Sequence, residues 1–195
     1  MMHRVVALSV RALAVVTAGC NSSPSHFYTL SATAAPGAAA SKLAIAVGPV
    51  SVPAAVDRPQ IVVNTSANQV SIDDFNRWAS PLQDNLTRVV AENLVAQLGT
   101  ARVTLFPPGL NAEIDYRVQI EIRNFESIPG KSASLDAIWT VRRTKDGKIE
   151  TGRTSVREPM QEGSFDALAA AHSRGVAKLS QDIADAIRTL ERGAA

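Results

Sequence analysis

Between Ile114 and Phe125 the chain alternates: Tyr116, Val118, Ile120 and Ile122 are apolar, and Arg117, Gln119, Glu121 and Arg123 stand between them. A period of two puts one set on each side of a pleated strand, so one face meets a core and the other meets water. The chain must therefore build a sheet that is covered on one side only.

Two helical segments can supply the cover. Leu82, Leu86, Val89, Val90, Leu94 and Leu98 recur at spacings of three and four, while Asp84, Arg88, Glu92 and Gln97 fall elsewhere around the helix. Ser80 as N-cap, Pro81 at the first helical position, Gln83 closing a capping box and Gly99 just past the end set its predicted limits. A second, longer helix capped by Ser164 carries Phe165, Leu168, Ala169, His172, Val176, Leu179, Ile183, Ile187 and Leu190 in one stripe.

The remaining strands follow from alternation and turn chemistry. Phe27–Leu30 reads as a short strand and Leu43–Val52 as a second one, ended by Pro53. Ile61–Asn64 and Gln69–Ile72 flank a hairpin turn at Thr65–Asn68. Arg102–Phe106 runs to a Pro107-Pro108-Gly109 turn, and Ala133–Thr144 passes through Asp146-Gly147 into Glu150–Glu158. The strand from Ile114 and the two after it make an antiparallel meander. The expected fold is α/β: a two-layer sandwich of a mixed, mostly antiparallel sheet with two amphipathic helices on one face. Between the elements, Ala32–Ser41 is a low-complexity loop too poor in large apolar groups to pack.

Upstream of the fold lies a leader. His3 and Arg4 precede a largely apolar stretch, Val5–Ala18, too short for a bilayer span of roughly 20 residues, and the small pair Ala18-Gly19 comes directly before Cys20, the only cysteine. This is the layout of a lipoprotein signal, with cleavage after Gly19 and acylation of the Cys20 thiol. Several acyl chains on one residue give durable anchoring. Thr17 and Arg11 depart from the usual pattern of such leaders. Residues 1–19 are thus a signal peptide, 20–41 a lipidated tether with a short strand, and 42–192 a single domain. Asn21, rather than Asp, after the cysteine points to the outer membrane.

Of the 20 Lys and Arg residues, Arg4 and Arg11 belong to the leader, which leaves 18 against 18 Asp and Glu. A mature chain without net charge has no basic excess with which to hold nucleic acid.

Several stretches, taken together, resemble a known family. They are FYTL at Phe27–Leu30, VGPVSVPAAVDRPQIVV at Val47–Val63, FNRWASPLQDNLTRVVAENLVAQLG at Phe75–Gly99, YRVQIEIRNFE at Tyr116–Glu126, Trp139 and the Ala-rich last helix. With the lipid-anchor signal they resemble the ABC-type transport auxiliary lipoprotein family of the PqiC/YmbA type, over nearly the whole mature chain. Ala54-Ala55, where relatives often carry a bulkier residue, is the main departure in the domain.

The resemblance implies an accessory role in lipid transport between the two membranes of a Gram-negative envelope. The partners it implies are an MCE-domain protein, whose conduit the lipoprotein docks at the outer membrane, and an inner-membrane permease; a homo-oligomer is a further possibility. A periplasmic lipid carrier and a structural envelope lipoprotein are the alternatives.

The inventory of reactive groups points away from an enzyme and implies no cofactor. His26 sits in the tether and His172 in an apolar stripe; no Cys or His pair has metal-ligand spacing, and there is neither a phosphate loop nor a serine elbow. Asp73 and Asp74, side by side, read as a turn signal. Asp57, Arg58 and Pro59, in an irregular segment, are candidate partner contacts, with an internal Asp57–Arg58 ion pair as the other reading. Trp78 is either a hydrophobic staple near the helix start or a partner anchor. Trp139 belongs to the core.

Overall fold

The computed structural model describes residues 24–37, 41–109 and 112–193; the leader, Gly19 and Cys20 lie outside them. In chain order the elements are β1 (His26–Tyr28), β2 (Ile45–Ser51), β3 (Gln60–Ser66), β4 (Gln69–Trp78), α1 (Leu82–Leu98), β5 (Val103–Leu105), β6 (Tyr116–Ile128), β7 (Ser132–Arg143), β8 (Ile149–Pro159) and α2 (Phe165–Arg192). The fold is the expected mixed α/β arrangement, with both helices packed against sheet.

The alternating segment becomes the middle strand of a five-stranded sheet ordered β5-β2-β6-β7-β8. Tyr116, Val118, Ile120 and Ile122 are buried and the polar residues between them are exposed, as a period of two demands. β6, β7 and β8 form the antiparallel meander, whereas β2 pairs in parallel with both β5 and β6. Helix α1 lies against β2 and β5, α2 lies against β7 and β8, and the two helices pack on each other. Leu86, Val89 and Leu94 from α1 and Val176, Leu179 and Ile183 from α2 join one core with Ile45, Tyr116 and Val118.

Trp139 enters that core over Gly152, its cross-strand neighbour. A Cβ at Gly152 would sit 2.2 Å from the indole ring, so only glycine leaves room for it. The indole Nε1 donates to Thr154 Oγ1 at 3.0 Å, and Thr154 in turn donates to Asp182 of α2 at 2.7 Å. At the C-terminal end of β7 the buried Arg143 guanidinium holds the hairpin to the last turn of α2. It donates to both oxygens of Asp146 (2.9 and 2.6 Å) and to the Leu190 carbonyl (2.5 Å), satisfying one of the free carbonyls at a helix C-terminus.

Four features depart from the reading of the sequence. First, β1, β4 and β3 form a separate three-stranded sheet in that order, because β3 meets β6 through a side chain, Ser127 N donating to Asn64 Oδ1 at 3.3 Å, and not through a backbone ladder. Second, β4 continues to Trp78, well past Ile72.

Third, α1 starts at Leu82 with Pro81 in the capping position, so the Ser80 capping box does not form; Gly99 ends the helix in the left-handed conformation, as expected. Fourth, residues 30–37 do pack, although the stretch from Ala32 has no large apolar side chain. Their backbone supplies the contacts: Ser31 N donates to Ser173 Oγ, Thr33 N and Ala34 N to Asn93 Oδ1, all at 3.1 Å, and Gly37 N to the Ala96 carbonyl at 2.8 Å. Gly37 comes so close that a Cβ there would lie 1.9 Å from the Gln97 carbonyl oxygen. This strap along the α1–α2 seam explains why Asn93 is buried: its side-chain oxygen takes up two of the strap's amides.

Candidate functional site

Residues 53–59 connect β2 to β3 through a tight turn in which Val56 N and Asp57 N both donate to the Pro53 carbonyl, at 3.0 and 3.2 Å. The end of β4 is tied to this turn and to β1: Trp78 N donates to the Pro59 carbonyl and Ala79 N to the Tyr28 carbonyl, each at 2.7 Å. These bonds bring Asp57, Arg58 and Pro59 beside Trp78, which lies about twenty residues later. With Ala79, Ser80 and Pro81 they line a hollow of about 400 Å³.

The hollow is apolar in its walls, with the cation Arg58 inside and the carboxylate Asp57 at its edge. Pro59, Trp78 and Pro81 provide the apolar surface. The Arg58 side chain is partly buried, and its Nε is shut away from solvent without an acceptor. Among the described residues Arg58 forms no ion pair with Asp57 or any other carboxylate, so the internal pairing considered from the sequence is not the arrangement found. Asp57 is exposed at the rim. The first amides of α1 open nearby without a side-chain cap, and they carry the positive end of the helix dipole. An anionic group attached to something apolar is the chemistry this hollow can accept.

Trp78 is only 5% exposed, so it contributes a floor and not a projecting anchor. Its ring sits edge-on to Phe125, with centroids 6.2 Å apart, and to His172 at 6.4 Å. Ser80 and Pro81 were legible as a helix start but not as walls of a site; the uncapped proline is what turns the helix end toward the hollow.

The other reactive groups stay apart from it. His172 is 1% exposed and stacked on Phe125 at 3.8 Å between centroids; its Nε2 lies 2.8 Å from the buried Ser127 Oγ. A serine and a histidine at that distance could in principle work as nucleophile and base. Here no substrate reaches either one, and His172 Nδ1 has no partner to orient the ring. Burial pushes His172 down to about 3, so the ring stays neutral at physiological pH. Asp73 bends β4, accepting from Phe75 N at 2.9 Å and from Asn76 N at 2.8 Å, which is the turn role its pairing with Asp74 implied. Among the described residues no group of three or more His, Cys, Asp or Glu side chains could hold a metal ion, and no helix is long and apolar enough to cross a membrane.

Comparison with known proteins follows the same lines. The model of one family, described as ABC-type transport auxiliary lipoprotein component, matches residues 28–184. No curated protein matches the sequence. Among solved structures, a Xanthomonas campestris protein is similar at a TM-score of 0.72 and 18% identity, over 88% of this chain and 100% of that one. A second, an uncharacterised protein, is similar at a TM-score of 0.69 and 21% identity, over 85% of this chain and 99% of that one. At such identities the likeness is one of fold.

Proposed function

The chain belongs to the family of ABC-type transport auxiliary lipoprotein components, and from that premise we propose that it is the outer-membrane accessory subunit of a lipid transport system, docking an MCE-type conduit at the inner leaflet of that membrane. Membership itself carries a coarser statement: this is a membrane-anchored envelope lipoprotein that assists a transporter. The finer reading adds the conduit, the membrane and the mode of contact. It assigns binding and no turnover to the domain.

The observation that carries the docking role is Arg58, a cation without a partner at an apolar hollow beside an uncapped helix end. Leaving a guanidinium half-buried and unpaired is unfavourable in the isolated domain, and a partner carboxylate would relieve it. Replacing Asp57 and Arg58 together with alanine should weaken capture of the MCE-domain protein from the same genome by tenfold or more, the usual effect of truncating a charged residue at the centre of an interface. Because these two side chains hold nothing else in the fold, the melting temperature should stay within a degree or two. A large fall in melting temperature, or unchanged capture, would refute the assignment of this hollow.

The anchor has its own test. Cys20→Ser should leave an unprocessed precursor that is not acylated and is absent from the outer-membrane fraction after density separation. Wild-type protein with a free Cys20 thiol would contradict it.

A further inference from the structure

Four large apolar side chains stand exposed on the one small sheet β1-β4-β3: Phe27 at 64%, Val70 at 55%, Phe75 at 47% and Ile72 at 44%. Single exposed apolar residues are ordinary on a soluble surface, but four on two adjacent strands, β1 and β4, form a patch. The register gives its orientation. Phe27 pairs with Arg77, which pairs with Gln60; Ile72 pairs with Val62, and Val70 with Asn64. Gln60, Val62 and Asn64 alternate along β3 with Ile61 and Val63, both part of the core. Phe27, Ile72 and Val70 therefore occupy the face turned away from the core, and Phe75 stands exposed in the irregular stretch of β4 between Ile72 and Arg77.

The length of chain ahead of β1 indicates what covers this face. Phe27 follows Cys20 by only seven positions, so even fully extended backbone keeps Phe27 within about 25 Å of the acylated cysteine. The sheet is thus leashed to the bilayer, and the headgroup layer is within its reach. Acyl chains fix a protein to a membrane without fixing its orientation; an apolar patch that enters the interface does both. Phenylalanine and isoleucine suit the apolar side of that boundary. Arg77 suits the polar side: its Nε donates to the Asp74 carbonyl at 2.9 Å, and among the described residues it forms no ion pair, leaving its terminal nitrogens for lipid phosphate.

We propose that the outward face of the β1-β4-β3 sheet, built on Phe27, Val70, Ile72 and Phe75, is a second membrane contact that seats this domain on the bilayer in one orientation. The proposal rests on acylation of Cys20, and its test separates the two. Acylation consumes the only native thiol, so Ile72→Cys gives one labelling site, and Ser155→Cys on the five-stranded sheet gives a control. Each acylated variant carries an environment-sensitive fluorophore in vesicles of phosphatidylethanolamine and phosphatidylglycerol whose acyl chains bear a quencher.

The label at position 72 should shift to the blue and be quenched severalfold more than the label at position 155; Val70→Cys should behave like Ile72→Cys, which guards against a folding defect in either. Adding Phe27→Ser and Phe75→Ser should remove most of the quenching at position 70 while the protein still floats with the vesicles. Equal quenching at positions 70, 72 and 155 would overturn the proposal. So would a label at position 72 that is shielded from aqueous iodide yet unquenched by lipid, since a second copy or another protein would then cover the face. Labelling of wild-type protein at Cys20 would show instead that the anchor reading fails, and the membrane seat with it.

Discussion

Acidification from pH 6.5 to pH 4.5 destabilises the folded domain by roughly tenfold in the unfolding equilibrium for each pH unit, through His172 alone. The sign follows from where the proton binds. In the unfolded chain this imidazole titrates near its ordinary value of 6.5; in the fold, burial against Phe125 and Trp78 holds it down to about 3. Between those values the unfolded state takes up a proton that the folded state refuses, so stability is fully present above pH 6.5 and drains away as pH falls. Over the whole window the loss is on the order of 4 kcal/mol, a large part of the 5–15 kcal/mol typical of a domain.

His172→Phe tests this directly. It keeps a ring on Phe125 and removes the titration, at the cost of leaving the Ser127 hydroxyl without a partner, so it should be less stable at pH 7 and nearly flat down to pH 4.5. Carboxylates add slope only at lower pH. Asp146, held down to about 2 chiefly by its hydrogen bonds from Arg143, resists protonation until well below the comparison range. Urea midpoints measured at half-unit steps give the two slopes. Parallel slopes for wild type and variant would mean that His172 is protonated inside the fold.

Leu94→Ala should cost about 2–5 kcal/mol, the range for emptying a fully packed core position. Leu94 lies on α1 where that helix faces the shared core with α2 and the sheet, and none of its surface reaches water. Leu86, one percent exposed on the same helix, should behave alike. Val95, the next residue along, is exposed, and Val95→Ala should change stability by less than about 0.5 kcal/mol. The contrast between neighbours controls for helix propensity. If Leu94→Ala cost no more than Val95→Ala, the apolar stripe of α1 would not be the buried face.

The candidate hollow was half legible. Asp57, Arg58 and Pro59 stand out as a charged pair ahead of a proline in an irregular segment, which reads equally as a partner contact or as an internal ion pair. That Arg58 and Asp57 do not pair with each other is decided in the folded loop, where the Pro53 carbonyl collects the Val56 and Asp57 amides. Ser80 carried a misleading signal. A Ser-Pro sequence with Gln83 two residues after the proline satisfies every local requirement for a capping box, yet the backbone bond from Trp78 to Pro59 draws this stretch into the site and leaves the helix to begin at Leu82.

What the sequence by itself determined is whatever repeats at the period of its own backbone. Both helices, the meander from Tyr116 to Pro159 and the αL stop at Gly99 need only neighbours within a few residues, so their side-chain patterns state them outright. The partition of strands into two sheets, the strap of residues 30–37 and the meeting of Arg58 with Trp78 were decided by the tertiary structure. Each depends on groups far apart in the chain finding one another: Asn93 and Ser173 accepting amides from a segment with no large apolar side chain beyond Leu30, or Pro59 accepting from Trp78. A backbone amide looks the same in every sequence, and only its place in the folded chain decides which carbonyl it meets.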